Sequence, residues 1–295
     1  MKVHEITCSN ALNKINGRLP FHWDLNSYRG CTHACQYCYA MYSHRYLGSD
    51  NFFTDIYVKT NIVERLEAVL SKPNWQKPII NIGGITDSYQ PLEQQYQLMP
   101  EILKLCIKYQ YPVTISTKSD LILRDIELIA ALAEITYVNI ACTVTCMNEN
   151  IRQKLEPNSA SSLQRLEVLT KFRSTKASIG LHVMPIIPYL TDDHDNIDSL
   201  FSSAAKINVD YVLPGILYLR GNTRDHFLNF MQVNFPDIYP KLRYLYEHKE
   251  IKSQYKQNIY SMINQLRDQY QLSYDYSDKM NQSLKIKSFD QLRLF

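Results

Sequence analysis

The sequence predicts an α/β fold: a partial (β/α)6 barrel of the TIM type with a C-terminal helical extension. Two observations support this prediction. From residue 60 onward, short β-branched runs alternate with helical stripes of apolar residues, and after Gly215 only the helical spacing continues. Such alternation is typical of a parallel sheet with right-handed crossovers. About five or six such units in a chain of 295 residues fit a partial barrel.

Apolar spacing places each element along the chain. Helices are predicted at 62–70, 98–109, 121–133, 162–172 and 193–206, and strands at 78–84, 113–116, 137–145, 177–184 and 211–213. Asp120 is the predicted N-cap of the third helix, because its carboxylate can accept hydrogen bonds from the first free N–H groups. Each strand is followed by a helix, so the strand ends face one edge of the sheet.

The chain divides into three predicted parts without a recognisable linker. Residues 1–20 form an N-terminal extension, 21–215 form the partial barrel and 216–295 form a helical region. In the last part, apolar residues recur at helical intervals from 242 to 270, with an interruption near 247–250. This pattern predicts two amphipathic helices that cover the barrel. The final segment, 284–295, is short and mixed, and no element is predicted there.

Composition excludes several protein classes. No stretch approaches the roughly 18 uninterrupted apolar residues of a membrane span, so no membrane association is expected. The net charge is only +3, although residues 240–295 hold ten Lys or Arg and six Asp or Glu. Seven cysteines are an odd number, and no secretory signal precedes them. We therefore expect a reduced, cytoplasmic protein.

Three of the cysteines fall in one short run, at Cys31, Cys35 and Cys38. Each iron of a cubane cluster takes a thiolate, so three cysteines leave the fourth iron open for chemistry. Structural zinc needs four ligands, and only His33 lies close enough to be the fourth. Chance clustering of buried cysteines and a disulfide framework are weaker alternatives. The run favours a [4Fe–4S] cluster.

The spacing of these cysteines, with Tyr37 directly before the third, resembles the motif of radical S-adenosylmethionine (SAM) enzymes. The chain also resembles a narrower group, the spore photoproduct lyase-like proteins. The matching segments, in order, are 23–31, 38–40, 84–93, 117–118, 143–145, 155–157 and 184–188. The resemblance covers the chain from about Trp23 to Leu213, and the tail shows no match.

The resemblance implies a role for each matching residue. Cys31, Cys35 and Cys38 would bind the cluster, whose open iron chelates SAM, and an external one-electron reductant would be required. The predicted SAM-binding residues are Tyr37 against the adenine, Thr86 on the methionyl part, Asp87 holding that loop, Lys118 paired with the carboxylate and Thr143 at the ribose. Thr86, Asp87 and Lys118 follow predicted strands and Thr143 lies near the end of one, where ligands of barrels bind.

Departures from the group concern the return of hydrogen to the substrate. Spore photoproduct lyases have a cysteine after the second strand, and the matching position is Gly84. Their tyrosine next to the third cluster cysteine is retained as Tyr39, which is therefore the candidate catalytic residue. Cys142 and Cys146 at the end of the fourth strand are alternative hydrogen donors, and ordinary buried strand cysteines are the competing interpretation.

We therefore expect a radical SAM enzyme that cleaves SAM reductively to a 5′-deoxyadenosyl radical and abstracts hydrogen from its substrate. The low net charge and the missing donor cysteine favour a peptide or protein substrate, in a lyase or modifying reaction such as that of a peptide maturase. A nucleic-acid lesion lyase of the spore photoproduct lyase type is the second hypothesis. A non-catalytic iron–sulfur scaffold or redox protein is the third, and it would not need Thr86, Lys118 and Thr143 at strand ends.

Overall fold

The computed structural model describes residues 1–15, 21–49, 51–247, 251 and 253–284. The strands are β1 (Lys2–Ile6), β2 (Leu12–Lys14), β3 (Trp23–Leu25), β4 (Tyr28–Arg29), β5 (Asp55–Lys59), β6 (Ile80–Ile82), β7 (Val113–Thr117), β8 (Val138–Thr143), β9 (Ser178–Ile186) and β10 (Tyr211–Ile216). The helices are α1 (Ile62–Leu70), α2 (Glu93–Tyr96), α3 (Leu98–Tyr109), α4 (Ile126–Ile135), α5 (Glu149–Leu155), α6 (Ser162–Phe172), α7 (His194–Ile207), α8 (Gly221–Asn234), α9 (Tyr239–Leu245), α10 (Ser253–Gln269) and α11 (Ser277–Leu284). Tyr39–Leu47 and Asp120–Asp125 are 3-10 helices.

The main sheet confirms the predicted partial barrel. Its strand order is β10-β9-β8-β7-β6-β3-β2. Within this sheet the parallel strands are β3, β6, β7, β8, β9 and β10. At the edge, β2 pairs with β3 in the antiparallel direction. A smaller sheet of order β1-β5-β4 lies beside it. Five of the six parallel strands, β6 to β10, correspond to the predicted strand–helix units, and β3 is an additional parallel strand.

The two faces of the main sheet differ in chemistry. One face is a row of isoleucines that pack against the helices in the principal core, namely Ile82, Ile115, Ile140 and Ile179. The neighbouring residues point to the opposite, inner face, and there the corresponding row is polar: Asn81, Thr114, Asn139 and Ser178. Because side chains alternate along a strand, these polar residues lie on the face opposite the isoleucines. Near the start of the strands, Ile79 and Tyr137 pack against Met280 of α11. A polar inner face suits a binding cavity better than a packed core.

The start of the helix predicted at 121–133 is wrong. Ser119, not Asp120, is the N-cap, because its side chain accepts a hydrogen bond from the Leu121 N–H at 3.2 Å. Asp120 instead accepts a hydrogen bond from the Gln164 side chain at 3.1 Å. A 3-10 helix follows Ser119, and the α-helical part begins only at Ile126.

The two ends of the chain contain elements that apolar spacing did not predict. Within the N-terminal extension, β1 pairs with β5 and β2 pairs with β3, while 16–20 lie outside the described residues. The two predicted C-terminal helices correspond to α9 and α10, and α8 and α11 are additional. The predicted interruption near 247–250 and the segment 285–295 lie largely outside the described residues. None of the described helices could cross a membrane.

Candidate active site

The cysteine run forms the loop between β4 and the first 3-10 helix. Gly30, directly before Cys31, has a φ of +86°, and a Cβ at this position would lie 2.8 Å from the Asp55 carbonyl oxygen. Only glycine tolerates both this backbone angle and this close approach. The Gly30-Cys31 pair therefore fixes how the loop leaves the small sheet.

Distant segments hold the loop in place. The Cys31 N–H donates to a carbonyl oxygen just before β5 at 3.2 Å, and the Gln36 N–H donates to the Leu155 carbonyl oxygen at 2.9 Å. The Thr223 hydroxyl in α8 donates to the Cys38 carbonyl oxygen at 3.1 Å. Because these bonds involve the main chain, the loop keeps its conformation without using the three thiols. The thiols remain available for metal.

The thiols suit a cluster. Cys31 and Cys35 are each 8% exposed, and Cys38 is half-buried. Burial raises the pKa of all three thiols, and that of Cys35 to about 12, and metal binding would require each thiol to lose its proton. No three His, Cys, Asp or Glu side chains of the described residues are arranged to hold one metal ion. A cubane cluster does not need three side chains around one metal ion, because each of its thiolates binds a separate iron. The loop therefore fits a [4Fe–4S] cluster.

Asp87 joins the cysteine loop to two strand ends. Its carboxylate accepts hydrogen bonds from the Tyr89 N–H at 2.9 Å, the Lys118 N–H at 2.8 Å and the Thr117 hydroxyl at 2.9 and 3.0 Å. His33 Nε2, in the cysteine loop, lies 3.1 Å from the same carboxylate. Burial alone would raise the pKa of Asp87, but His33 and the hydrogen bonds lower it to about 2. The ionised Asp87 therefore ties three loops together.

Lys118 brings a positive charge to the loop. The side chain is half-buried, and its Nζ lies 5.8 Å from the centroid of the Tyr37 ring. Its charge opposes the burial that raises the pKa of Cys35, and it contributes to the low pKa of Glu156. Among the described residues, the ion pairs do not include Lys118. An ammonium beside the cluster thiols can bind an anionic group of a cofactor.

A buried ion pair supports the loop from the protein interior. Arg165 and Glu156 have fully buried side chains, and Arg165 Nη2 lies 2.5 Å from Glu156 Oε2. The Tyr37 phenol donates to the same carboxylate, as does the Thr145 hydroxyl at 3.1 Å. Burial alone would raise the pKa of Glu156, but the charges of Arg165 and Lys118 lower it to about 2. The ionised Glu156 thereby orients Tyr37, which is only 8% exposed.

The remaining predicted residues lie at the same edge. The Thr86 hydroxyl donates to the Gly30 carbonyl oxygen at 2.6 Å, so its proton is used within the protein. Thr143 ends β8 and is 7% exposed. Tyr39 is 63% exposed, but its hydroxyl reaches inward and donates to the Gly84 carbonyl oxygen. The structure therefore brings the predicted cluster and SAM residues together, and their individual roles remain predictions.

The two additional cysteines occupy different surroundings. Cys142 belongs to the helix-facing core with Ile140, two residues earlier on the same strand, and is fully buried. It therefore points away from the inner face, as expected of a buried strand cysteine. Cys146 lies just beyond β8, where its buried thiol is 3.5 Å from the Asn148 carbonyl oxygen.

Three residues of this site have little signal in the sequence. His33 lies inside the cysteine run, so spacing suggests a metal ligand rather than a partner of Asp87. Arg165 occupies a helix whose apolar pattern conceals one buried charge, although a charged residue facing a core always requires a partner. Asp24 lies in a segment that resembles the family's loop, and only the structure shows its carboxylate on the inner face, bonded to Asn81 at 2.6 Å.

Comparisons with known proteins agree with this geometry. The model of the Radical SAM superfamily matches residues 25–201. The Mycobacterium tuberculosis protein Rv2578c is 32% identical over 280 residues, which span 92% of this chain and 82% of that protein. A spore photoproduct lyase mutant with bound AdoMet and dinucleoside spore photoproduct has a TM-score of 0.63 at 14% identity, over 91% of this chain and 78% of that one. Streptococcus suis SuiB bound to precursor peptide SuiA has a TM-score of 0.54 at 13% identity, over 87% and 48%.

At these identities the two solved structures establish a shared fold. The family model and the M. tuberculosis relative go further, because the matched range contains the cysteine loop and the strand ends described above. The chain belongs to the Radical SAM superfamily, whose members bind S-adenosylmethionine and a [4Fe–4S] cluster.

Proposed function

We propose that this protein is a radical SAM enzyme that modifies or cleaves a peptide or protein substrate. Cys31, Cys35 and Cys38 would hold the cluster, and an external reductant would supply one electron. When bound, the cluster and SAM supply a 5′-deoxyadenosyl radical that removes hydrogen from the substrate. The observation that supports this proposal most directly is Asp87, which bonds the cysteine loop to the end of the strand that carries Lys118.

The predicted SAM residues keep their roles in this proposal. Lys118 would pair with the SAM carboxylate and Thr143 would contact the ribose. The Thr86 hydroxyl donates its hydrogen bond to the Gly30 carbonyl oxygen. Thr86 would therefore contact the methionyl part of SAM through a lone pair of the hydroxyl oxygen or through its main chain. Tyr37 is held by Glu156, so it would offer the adenine only the exposed part of its ring. Tyr39 would return hydrogen, since its hydroxyl already lies at Gly84.

Lys118→Ala is expected to weaken SAM binding by about ten- to a hundredfold. A charge-assisted bond to a carboxylate is typically worth about 1.5–3 kcal/mol, and alanine removes it. The SAM dissociation constant of the reconstituted protein would be measured by isothermal titration calorimetry. Lys104→Ala is the matched control, because Lys104 is an exposed lysine paired with Glu101 on α3. If the SAM dissociation constant were unchanged in Lys118→Ala, Lys118 would be an ordinary surface lysine that does not bind SAM.

Two features support a peptide or protein substrate over a nucleic acid. The net charge is low, and on the inner face of the sheet Asp24 presents a half-buried carboxylate that is bonded to Asn81. In addition, a cysteine at position 84, where a lesion lyase has its hydrogen donor, would not fit without rearrangement. Its Cβ would overlap the Asp24 carboxylate. Phosphate binding would have to rely on the basic C-terminal region.

Binding to nucleic acid is therefore expected to be weak and to vary little with salt. With four phosphate contacts, affinity would fall roughly a hundredfold between about 50 and 200 mM salt. Fluorescence polarisation with single- and double-stranded 20-mer DNA and RNA would measure it. Submicromolar binding that shows this fall would contradict the peptide proposal.

The structure also determines how the basic region should be tested. Deleting 240–295 would remove the buried apolar residues Leu242, Ile263 and Leu266 from the core, so a loss of binding would have no clear meaning. Neutralising the exposed Lys241 and Arg243 to Gln avoids this problem, with Lys104→Gln as the control. If nucleic-acid binding were lost in the variant with Lys241→Gln and Arg243→Gln but not in Lys104→Gln, the C-terminal region would be a nucleic-acid site.

A further inference from the structure

The inner face of the sheet is partly exposed toward the carboxyl ends of its strands. On this face Ser116, His182 and Leu213 are half-buried. Nearer the start of the strands, Thr114, Asn139 and Ser178 are buried. The exposed part of this face lies at the edge that carries the cysteine loop, because Lys118 directly follows β7 and Thr143 ends the neighbouring β8. A molecule bound on this face would therefore lie next to the cluster and SAM residues.

Among the described residues, Asp24 places a carboxylate without a lysine or arginine partner on this face. It accepts a hydrogen bond from the Asn81 side chain at 2.6 Å, and it lies so close to Gly84 that a Cβ there would overlap it. The Gly84 carbonyl oxygen is the acceptor of the Tyr39 hydroxyl. The ion pairs of the described residues include no lysine or arginine partner for Asp24. Burial raises its pKa, because the amide hydrogen bonds do not balance the loss of water.

On the same face, the Asn139 side chain has one polar atom without a hydrogen-bond partner among the described residues. The Asn139 side chain donates to the Thr114 hydroxyl and to the Tyr211 hydroxyl, each at 3.0 Å. Its carbonyl oxygen Oδ1 has no partner among the described residues, although the residue is only 2% exposed. His182 Nε2 continues this network, 3.3 Å from the Tyr211 hydroxyl. Burial and the charge of Lys118 lower the pKa of His182 to about 4, so the ring is neutral at pH 7.

We infer that Asp24 binds the substrate, and that its carboxylate takes an ammonium or guanidinium group. A partly buried carboxylate without a cation is stabilised by a cationic ligand, and charge-assisted hydrogen bonds make that contact strong. The same charge repels phosphates. The inference rests on the proposed function and narrows it: the peptide would present a lysine, an arginine or a free amino terminus beside Tyr39.

Three matched probes test this inference on the cluster-reconstituted full chain with SAM. They are the Nα-acetyl amides of L-lysine, L-arginine and L-norleucine, and calorimetry would measure their dissociation constants. We expect at least one cationic probe to bind about tenfold more tightly than the norleucine probe. Asp24→Asn should reduce this preference to about twofold or less. Equal binding of all three probes, no binding of any probe, or a preference unchanged in Asp24→Asn would overturn the inference.

Two further variants guard against trivial explanations. In Asp24→Asn with Asn81→Asp, the carboxylate moves across the existing hydrogen bond, so the preference for a cation should return if the charge is what matters. Glu101→Gln removes an exposed negative charge on α3 and should leave the preference unchanged. Iron content separates the two proposals: a wild-type chain that binds no cluster contradicts the proposed function, whereas Asp24→Asn that keeps its iron but loses the preference supports the inference.

Discussion

Replacing Cys31, Cys35 or Cys38 with alanine is expected to abolish cluster assembly. The loop supplies three thiolates and no protein ligand for the fourth iron, so the loss of one leaves two, which is too few to hold a cubane. Iron and acid-labile sulfide would be measured after anaerobic reconstitution, together with the visible absorption of the cluster. We expect each variant to retain less than about a tenth of the wild-type iron.

Cys8→Ala is the matched control for this experiment. Cys8 is a free, half-buried cysteine outside the loop, and Asn61 bonds its main chain rather than its thiol. The control should keep its full complement of iron. If Cys31→Ala, Cys35→Ala and Cys38→Ala all retained iron at the level of Cys8→Ala, the cluster would have to be bound elsewhere in the chain.

Arg165→Met is expected to lower the free energy of unfolding by about 3–5 kcal/mol, because it leaves Glu156 as an uncompensated buried charge. Methionine fills much of the same volume, so the effect would report charge rather than a cavity. Arg165 also donates to the Thr143 carbonyl oxygen at 2.8 Å and to Ala160 at 2.8 Å, and these acceptors would lose a partner. Urea unfolding at pH 7 would measure the change.

The pH dependence of this destabilisation tests its cause. The pKa of Glu156 is about 2 in the folded protein and 4.5 as its ordinary value, so its contribution to stability is fully present above about pH 4.5 and is lost as the pH falls toward 2. The difference between wild type and Arg165→Met should therefore shrink over that range. The double variant with Glu156→Gln should recover much of the stability at pH 7. A difference that stayed constant down to pH 2 would point to packing instead.

Most of the site could be predicted from the sequence because its chemistry is local. Three cysteines in eight residues need no fold to be recognised, and the polar residues after β6, β7 and β8 identify themselves by following strands. The parallel order of those strands then brings the cysteine loop, Asp87 and Lys118 to one edge. The parallel sheet makes these distant residues neighbours, and because the sheet was predicted correctly, their proximity could be predicted too.

The rest depends on contacts between segments far apart in the chain. Asp87 and His33 are 54 positions apart, and nothing in either segment specifies the other. Ser119 and Asp120 are both good N-caps by residue type, and in the structure Asp120 bonds Gln164 of another helix while Ser119 caps. The inner face was hidden for a similar reason. A buried strand such as β8 shows little alternation of polarity, so its sequence does not reveal which residues line a cavity.

The contact of α8 with the cysteine loop affects when a newly made chain can receive its iron. Thr223 bonds the Cys38 carbonyl oxygen across 185 positions of sequence, and His226 lies 3.0 Å from the Gln36 side chain across 190. The cysteines leave the ribosome early, but the segment that secures their loop is synthesised only after every strand of the sheet. Iron delivered to a nascent chain would meet an unfastened loop, so efficient loading should await release of the finished polypeptide.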